Sequence, residues 1–173
     1  MRQSAGGFVT QRMVDVSGTT CGFCLTQAKL ADTALIPYQR NRPGTFIRCG
    51  ERIRSGGVFL NMGMELLRNT KVYPFVLVDE IGGVELLEPL FFSRLTELFS
   101  KETPCIGVLK SQENCKHMMT NMDMPDLFHR RCSAFRRILQ DNPEVDIVCM
   151  DQRDEPEVTR RIDEFIARIE VGI

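Results

Sequence analysis

The sequence predicts an α/β domain built on a mostly parallel sheet with helices on both faces, and three observations predict it. From Tyr73 onward, apolar runs without alternation trade places with amphipathic stretches, in the order strand, helix, strand, helix, strand, helix. Each apolar run ends in polar groups: Asp79 and Glu80 after "FVLV", Lys110 after "CIGVL", and Asp151 to Asp154 after "VDIVCM". The chain has 173 residues, the length of one domain that buries roughly 70% of its unfolded surface without disulfide staples. A single domain over 1–173 is therefore expected.

The elements follow in chain order. Residues 5 to 26 read as a β-hairpin: "GGFVTQRMV" is β-rich, "DVSGTT" is a turn with Gly18 free to take positive φ, and "CGFCLT" returns. "ADTALIPYQRNRPG" reads as irregular, broken by Pro37, Pro43 and Gly44, and "TFIR" as a short strand. A helix is predicted from Gly57 to Arg68, with Phe59, Met62, Leu66 and Leu67 as its apolar stripe. "YPFVLVDE" reads as a strand covered on both faces. In "VELLEPLFFSRLTELFSK", Leu87, Phe91, Leu95 and Leu98 form one face, and Pro89 places the helix start near Glu88. "PCIGVLK" is the next strand, and the Met-rich "SQENCKHMMTNMDMPD" reads as an exposed loop. "LFHRRCSAFRRILQ" is a basic amphipathic helix, "VDIVCM" a strand, and "EPEVTRRIDEFIARIE" a closing helix with Glu155 and Glu157 favouring its amino end.

Composition excludes several classes. Hydrophobic residues at 43% and charged residues at 26% describe a globular chain and not a disordered one. A net charge of -1 argues against nucleic acid or an anionic membrane as a bulk electrostatic partner. No run approaches the ~20 apolar residues of a membrane span, and "MRQSAGGF" has no apolar signal core. The seven cysteines are thus expected to be reduced thiols in a cytoplasmic setting.

The acidic pair is the leading site candidate. A strand that delivers adjacent carboxylates suits hydrolysis of a nucleoside triphosphate: Asp79 would support Mg²⁺ through water, and Glu80 would orient or deprotonate the attacking water. The bland alternative is a strand ending in two solvated acids. The two glycines of "DEIGG" favour close approach of a ligand or another segment. Nowhere does the chain spell G-x-x-x-x-G-K-[ST], the loop whose amides and lysine cradle phosphates. "CGERIRSGG" has glycines and arginines at the wrong spacing.

Other constellations weigh less. "CGFC" has redox or zinc spacing, but strand alternation sends Cys21 and Cys24 to opposite faces. Cys115, His117, His129 and Cys132 contain every histidine and could supply four zinc ligands; ordinary thiols and surface histidines are the alternative. "HRRCSAFRR" is a basic patch, read as a solvated helix face.

Taken with their order, "GGFVTQ", "GF" at Gly22 and Phe23, "VLVDEIGGVELLEPLFF", "PCIGVLK" and "VDIVCMDQRDE" resemble the P-loop nucleoside-triphosphatases of the thermophile, or cancer-related, type. The resemblance covers roughly Gly6 to Phe165. Its D-E-[IL]-G-x-x-E-L stretch corresponds to Asp79, Glu80, Ile81, Gly82, Glu85 and Leu86, and its N-R-D to Gln152, Arg153 and Asp154, with Gln in place of Asn. It implies a three-layer P-loop fold, Mg²⁺ as cofactor, a nucleoside triphosphate as substrate, Asp79 at the metal and Glu80 at the water. It also implies Arg153 near base or phosphate, with Lys110 on the same rim. In that family the Walker A strand and helix precede the "GGF" hairpin, so the resemblance implies that this chain lacks them. The expectation is impaired hydrolysis, with a protein or chain segment completing the sheet. A non-catalytic nucleotide-fold binding module is the alternative function.

Overall fold

A computed structural model gives the fold and describes residues 5–30, 34–49, 53–54, 56–100, 103–150 and 155–171. Strands β1 (Gly6–Val14) and β2 (Thr20–Gln27) form the expected antiparallel hairpin. Its turn is held by Asp15, whose Oδ1 accepts the N–H groups of Ser17 and Thr19 at 2.8 and 2.9 Å, while Gly18 takes φ 82°. Strands β4 (Thr45–Arg48) and β5 (Ile53–Arg54) extend the sheet antiparallel beyond β2. On its other side β1 runs parallel to β6 (Val76–Ile81) and to β3 (Leu35–Pro37), and β7 (Cys105–Leu109) runs parallel to β6. The order is β5-β4-β2-β1-β6-β7, with β3 beside β1 off that path. The α/β class expected from the sequence is the class found, its sheet parallel through β3, β1, β6 and β7 and antiparallel beyond.

Alternation along the hairpin builds two cores. Phe8 and Leu25 face the larger one, where Phe59 lies 4.9 Å from Phe46 and 5.3 Å from Phe91 between ring centroids. Met13 and Cys24 face the other way and close a small cluster with Ile36. The predicted helix after Gly57 forms as a π-helical stretch, Phe59–Gly63, that runs into one turn, α1 (Met64–Leu66). Helix α2 (Pro89–Phe99) starts after Glu88, with Pro89 in its first turn, and buries Phe91, Leu95 and Leu98. Helix α3 (Gln112–Met122) is followed by α4 (Asp126–Asp141), which buries Phe128, Phe135 and Leu139, and by α5 (Glu155–Val171). Among the described residues no helix is long and apolar enough to cross a membrane.

Three expectations are corrected. The Met-rich stretch is α3 and not a loop. Ser111 caps it, accepting the Asn114 N–H at 3.1 Å, and Asp123 ends it in left-handed geometry at φ 47°. Met118, Met119 and Met122 pack on the main core at helical spacing. Losing the Ser111 cap is expected to cost about 1 kcal/mol. Ser111→Ala should therefore lower the melting point slightly and raise amide exchange in α3 first. Equal α3 exchange in both proteins would refute the cap's role.

The second correction is "VDIVCM", which is not a strand: residues 145–150 carry no regular structure, and Ile147, Val148 and Met150 are exposed. An apolar run becomes a strand only where a neighbour offers its ladder. Among the described residues β7 pairs with β6 alone, and residues 145–150 pair with no strand. The third is the irregular region after the hairpin, which contributes β3 by pairing with the far end of β1.

Candidate functional site

The site begins with a gap along β1. Gly6–Phe8 pair with β6 and Arg12–Val14 pair with β3, so Thr10 lies between the two partners. Arg12 N–H donates into β3's side at the Ala34 carbonyl, 2.8 Å away. Thr10 N–H, two residues earlier, finds the side chain of Asp79 instead, donating to Oδ2 at 3.1 Å. Asp79 is half-buried at the end of β6. Burial raises its carboxyl above the ordinary range and the Thr10 N–H opposes that; the charge of Glu80 adds to the rise, and the N–H of Glu80 and the charge of Lys110 reduce it.

Glu80 takes φ 57°, left-handed backbone that costs energy for a residue with a Cβ. This turns its side chain toward the end of β7, where Lys110 Nζ lies 2.9 Å from its Oε2. The side chains are 37% and 21% exposed, so the ion pair positions the carboxylate more than it stabilises the fold. Lys110 is fixed in turn: its N–H donates to the Ile81 carbonyl at 2.8 Å, and its own carbonyl accepts from Arg136 at 2.6 Å.

Glu85 is the group that sequence reasoning undervalued, giving it no role beyond its place in the family motif. It is 3% exposed, and its Oε1 accepts the N–H groups of Gly82 and Gly83 at 2.6 and 2.7 Å. Burial raises its carboxyl above the ordinary range, opposed by the N–H groups of Gly83, Glu85 itself and Gly82, and then by the Lys110 charge. Gly82 has φ 109°, and a Cβ on Gly83 would sit 2.8 Å from Glu85 Oε2. The signal was present in "DEIGGVEL": a carboxylate two and three residues after two glycines can reach back to both amides.

Asp79, Glu80 and Lys110 thus come together. Arg153 lies outside the described residues, as do the rest of 151–154 and residues 50–52 and 55 of "CGERIRSGG". The four candidate zinc ligands form no cage: His117 and His129 are exposed, and the half-buried Cys115, on α3, reaches the Gly82 carbonyl at 3.7 Å. Among the described residues no three His, Cys, Asp or Glu side chains converge as a metal cage. Cys24 is buried and Cys21, half-buried, donates to the Thr19 carbonyl at 3.4 Å, so "CGFC" forms no pair. The basic patch is partly structural, since Arg131 donates to the Leu86 carbonyl at 2.6 Å and Arg136 to that of Lys110.

No curated protein and no solved structure matches the chain in such comparisons. The model of a protein family described as "NTPase" matches residues 2–162, nearly the whole chain. On that match, with the α/β fold around the carboxyl end of β6, the chain belongs to this P-loop nucleoside-triphosphatase family.

Proposed function

We propose that Asp79 and Glu80 form the hydrolytic site of a Mg²⁺-dependent nucleoside-triphosphatase converting a nucleoside triphosphate and water to the diphosphate and phosphate. The observation that supports this reading most is the separate holding of two adjacent carboxylates. The Thr10 N–H holds Asp79, and the Lys110 ammonium holds Glu80. The donor set fits Mg²⁺, which takes one or two carboxylates and keeps several waters. Asp79 would hold it through water; when bound, the ion offsets phosphate charge.

The chain's own residues then have distinct tasks. Glu80 orients the attacking water and accepts its proton. Lys110 fixes the Glu80 carboxylate and offers a cation beside the phosphates. The Gly82–Gly83 turn, pinned by Glu85, keeps the end of β6 in one shape. Arg153 is assigned to the nucleotide by the family resemblance. Reduced cysteines would suit a cytoplasmic setting.

A second reading, a nucleotide-fold binding module without turnover, is favoured by one observation: Glu80, the candidate base, is already engaged by Lys110 Nζ at 2.9 Å. One experiment separates the two. Phosphate release from MgATP and MgGTP is measured with nucleotide binding on the same protein, with and without Mg²⁺. The enzyme reading expects slow, Mg²⁺-dependent release that disappears in Glu80→Gln. Binding without release selects the module, and neither binding nor release rejects both.

A further inference from the structure

The lysine that holds Glu80 stands one residue beyond β7, where the ladder runs out. Strand β6 ends at Ile81 and β7 at Leu109, and among the described residues β7 pairs with β6 alone. The last bond across this pair runs from the Lys110 N–H to the Ile81 carbonyl. The Lys110 carbonyl finds its partner outside the sheet, in Arg136 of α4, which donates to it at 2.6 Å. The next residue, Ser111, caps α3. The stem of the lysine then runs beside the glycine turn. A Cβ on Gly82 would stand 3.2 Å from Lys110 Cβ, and one on Gly83 3.5 Å from Lys110 Cε. At the end of that path Nζ lies 2.9 Å from Glu80 Oε2. A four-carbon stem carries much rotamer freedom, so the direction of its root decides which group the ammonium meets.

Helix α4 is built to fix that root. It buries Phe128, Phe135 and Leu139 in the main core, which anchors it against the rest of the domain. Arg131, five residues before Arg136, donates to the Leu86 carbonyl at 2.6 Å and lies 5.3 Å over the Phe92 ring. The helix thus grips both segments that leave the site strands, the one after β6 through Arg131 and the one after β7 through Arg136. Among the described residues neither guanidinium forms an ion pair, so neither is there to neutralise an acid. Each spends its charge on a backbone oxygen, where a cationic donor makes a stronger bond than a neutral one.

We propose that Arg136 is a positioning residue of the acidic site: it fixes the Lys110 backbone so that the ammonium meets Glu80 and holds that carboxylate for the attacking water. The part played by water rests on the hydrolytic reading. The chain from Arg136 through Lys110 to Glu80 rests on the two distances. In this role Arg136 touches no nucleotide.

The first readout needs no nucleotide. In heteronuclear NMR spectra of the full chain, taken cold in mildly acidic buffer, the Lys110 ammonium signal is identified by its loss in Lys110→Met. It should be present in the unaltered chain and in Arg136→Lys, and lost to solvent exchange in Arg136→Gln. Its absence from the unaltered chain, or equal strength in Arg136→Gln, would overturn the proposal. The second readout is Mg²⁺-dependent phosphate release from MgATP. Arg136→Gln should lower kcat about tenfold with KM within about twofold, since misplacing a group by about an ångström costs up to ~10²-fold. Added to Lys110→Met, the same substitution should cost no further turnover, because its route to Glu80 is already gone. Arg136→Lys keeps a cationic donor at that position of α4 and should recover most of kcat. Losses that multiply in the double variant would give Arg136 a separate role, and a raised KM would make it a phosphate ligand; either result overturns the proposal. If the unaltered chain releases no phosphate while the ammonium signal behaves as expected, the hydrolytic reading fails and the hold of Arg136 on the Lys110–Glu80 pair stands.

Discussion

Glu85→Ala is expected to destabilise the chain by about 2–6 kcal/mol, because it leaves two buried donors, the Gly82 and Gly83 N–H groups, without an acceptor at about 1–3 kcal/mol each. Against a total stability of ~5–15 kcal/mol for a domain, that is a large share. Alanine also leaves a void beside buried Val84 and Leu86, whose packing holds the turn. The change should show as a lower melting temperature and as faster amide exchange at Gly82 and Gly83. An unchanged melting temperature would mean that the turn finds other partners for these amides. Glu85→Gln separates acceptor from charge, since its amide oxygen can still take both N–H groups. It should keep most of the stability that Glu85→Ala loses.

The same carboxyl predicts a pH dependence. Burial raises its folded-state pKa above the unfolded value, so the folded protein binds its proton more tightly than the unfolded chain does. For an acid shifted upward, this contribution to stability is fully present below the unfolded pKa and is lost as pH rises through the folded one. Denaturant midpoints should therefore fall as pH rises above ~4.5, in the part assignable to Glu85. In Glu85→Gln that part should vanish. Groups acting on Glu85 from neighbouring elements are the Lys110 ammonium and the Cys115 and Cys132 thiols. An identical slope in both proteins over that window would place the titration elsewhere.

Much of the parallel region was legible in the sequence because unbroken apolar runs have few other uses. "FVLVDE" could only be a covered strand that delivers acids to an end, and Phe91, Leu95 and Leu98 could only face a core. The failures came where tertiary partners decide. Residues 145–150 have strand composition but pair with no strand, while Leu35–Pro37 have two breakers nearby and become a strand beside β1. Methionine and a cysteine at Cys115, Met118, Met119 and Met122 carry helical spacing, but the polar residues between them suggested a loop. That Asp79 and Glu80 stand near the carboxyl end of β6 could be read from residue type and position. The left-handed Glu80 and the reach of Lys110 across from β7 could not, since both depend on how two strand ends meet.

Glu80→Gln is expected to lower turnover by about 10²–10⁴-fold, the range for removing a positioned general base. Three features make this substitution informative. Glutamine has the same shape, so it inherits whatever strain φ 57° imposes without adding any. The lost ion pair is half-exposed and worth roughly 0–1 kcal/mol, so the melting temperature should barely move. In its proposed role Glu80 acts on water and not on the ground-state phosphates, so nucleotide affinity should stay within a few-fold. Lys110→Met should fall between the two proteins, since it frees the Glu80 carboxylate without removing it. Turnover at the unaltered level in Glu80→Gln would show that another group activates the water. A parallel loss of turnover and affinity would instead assign Glu80 to nucleotide binding, because a base that only aligns water changes kcat while leaving the ground state alone.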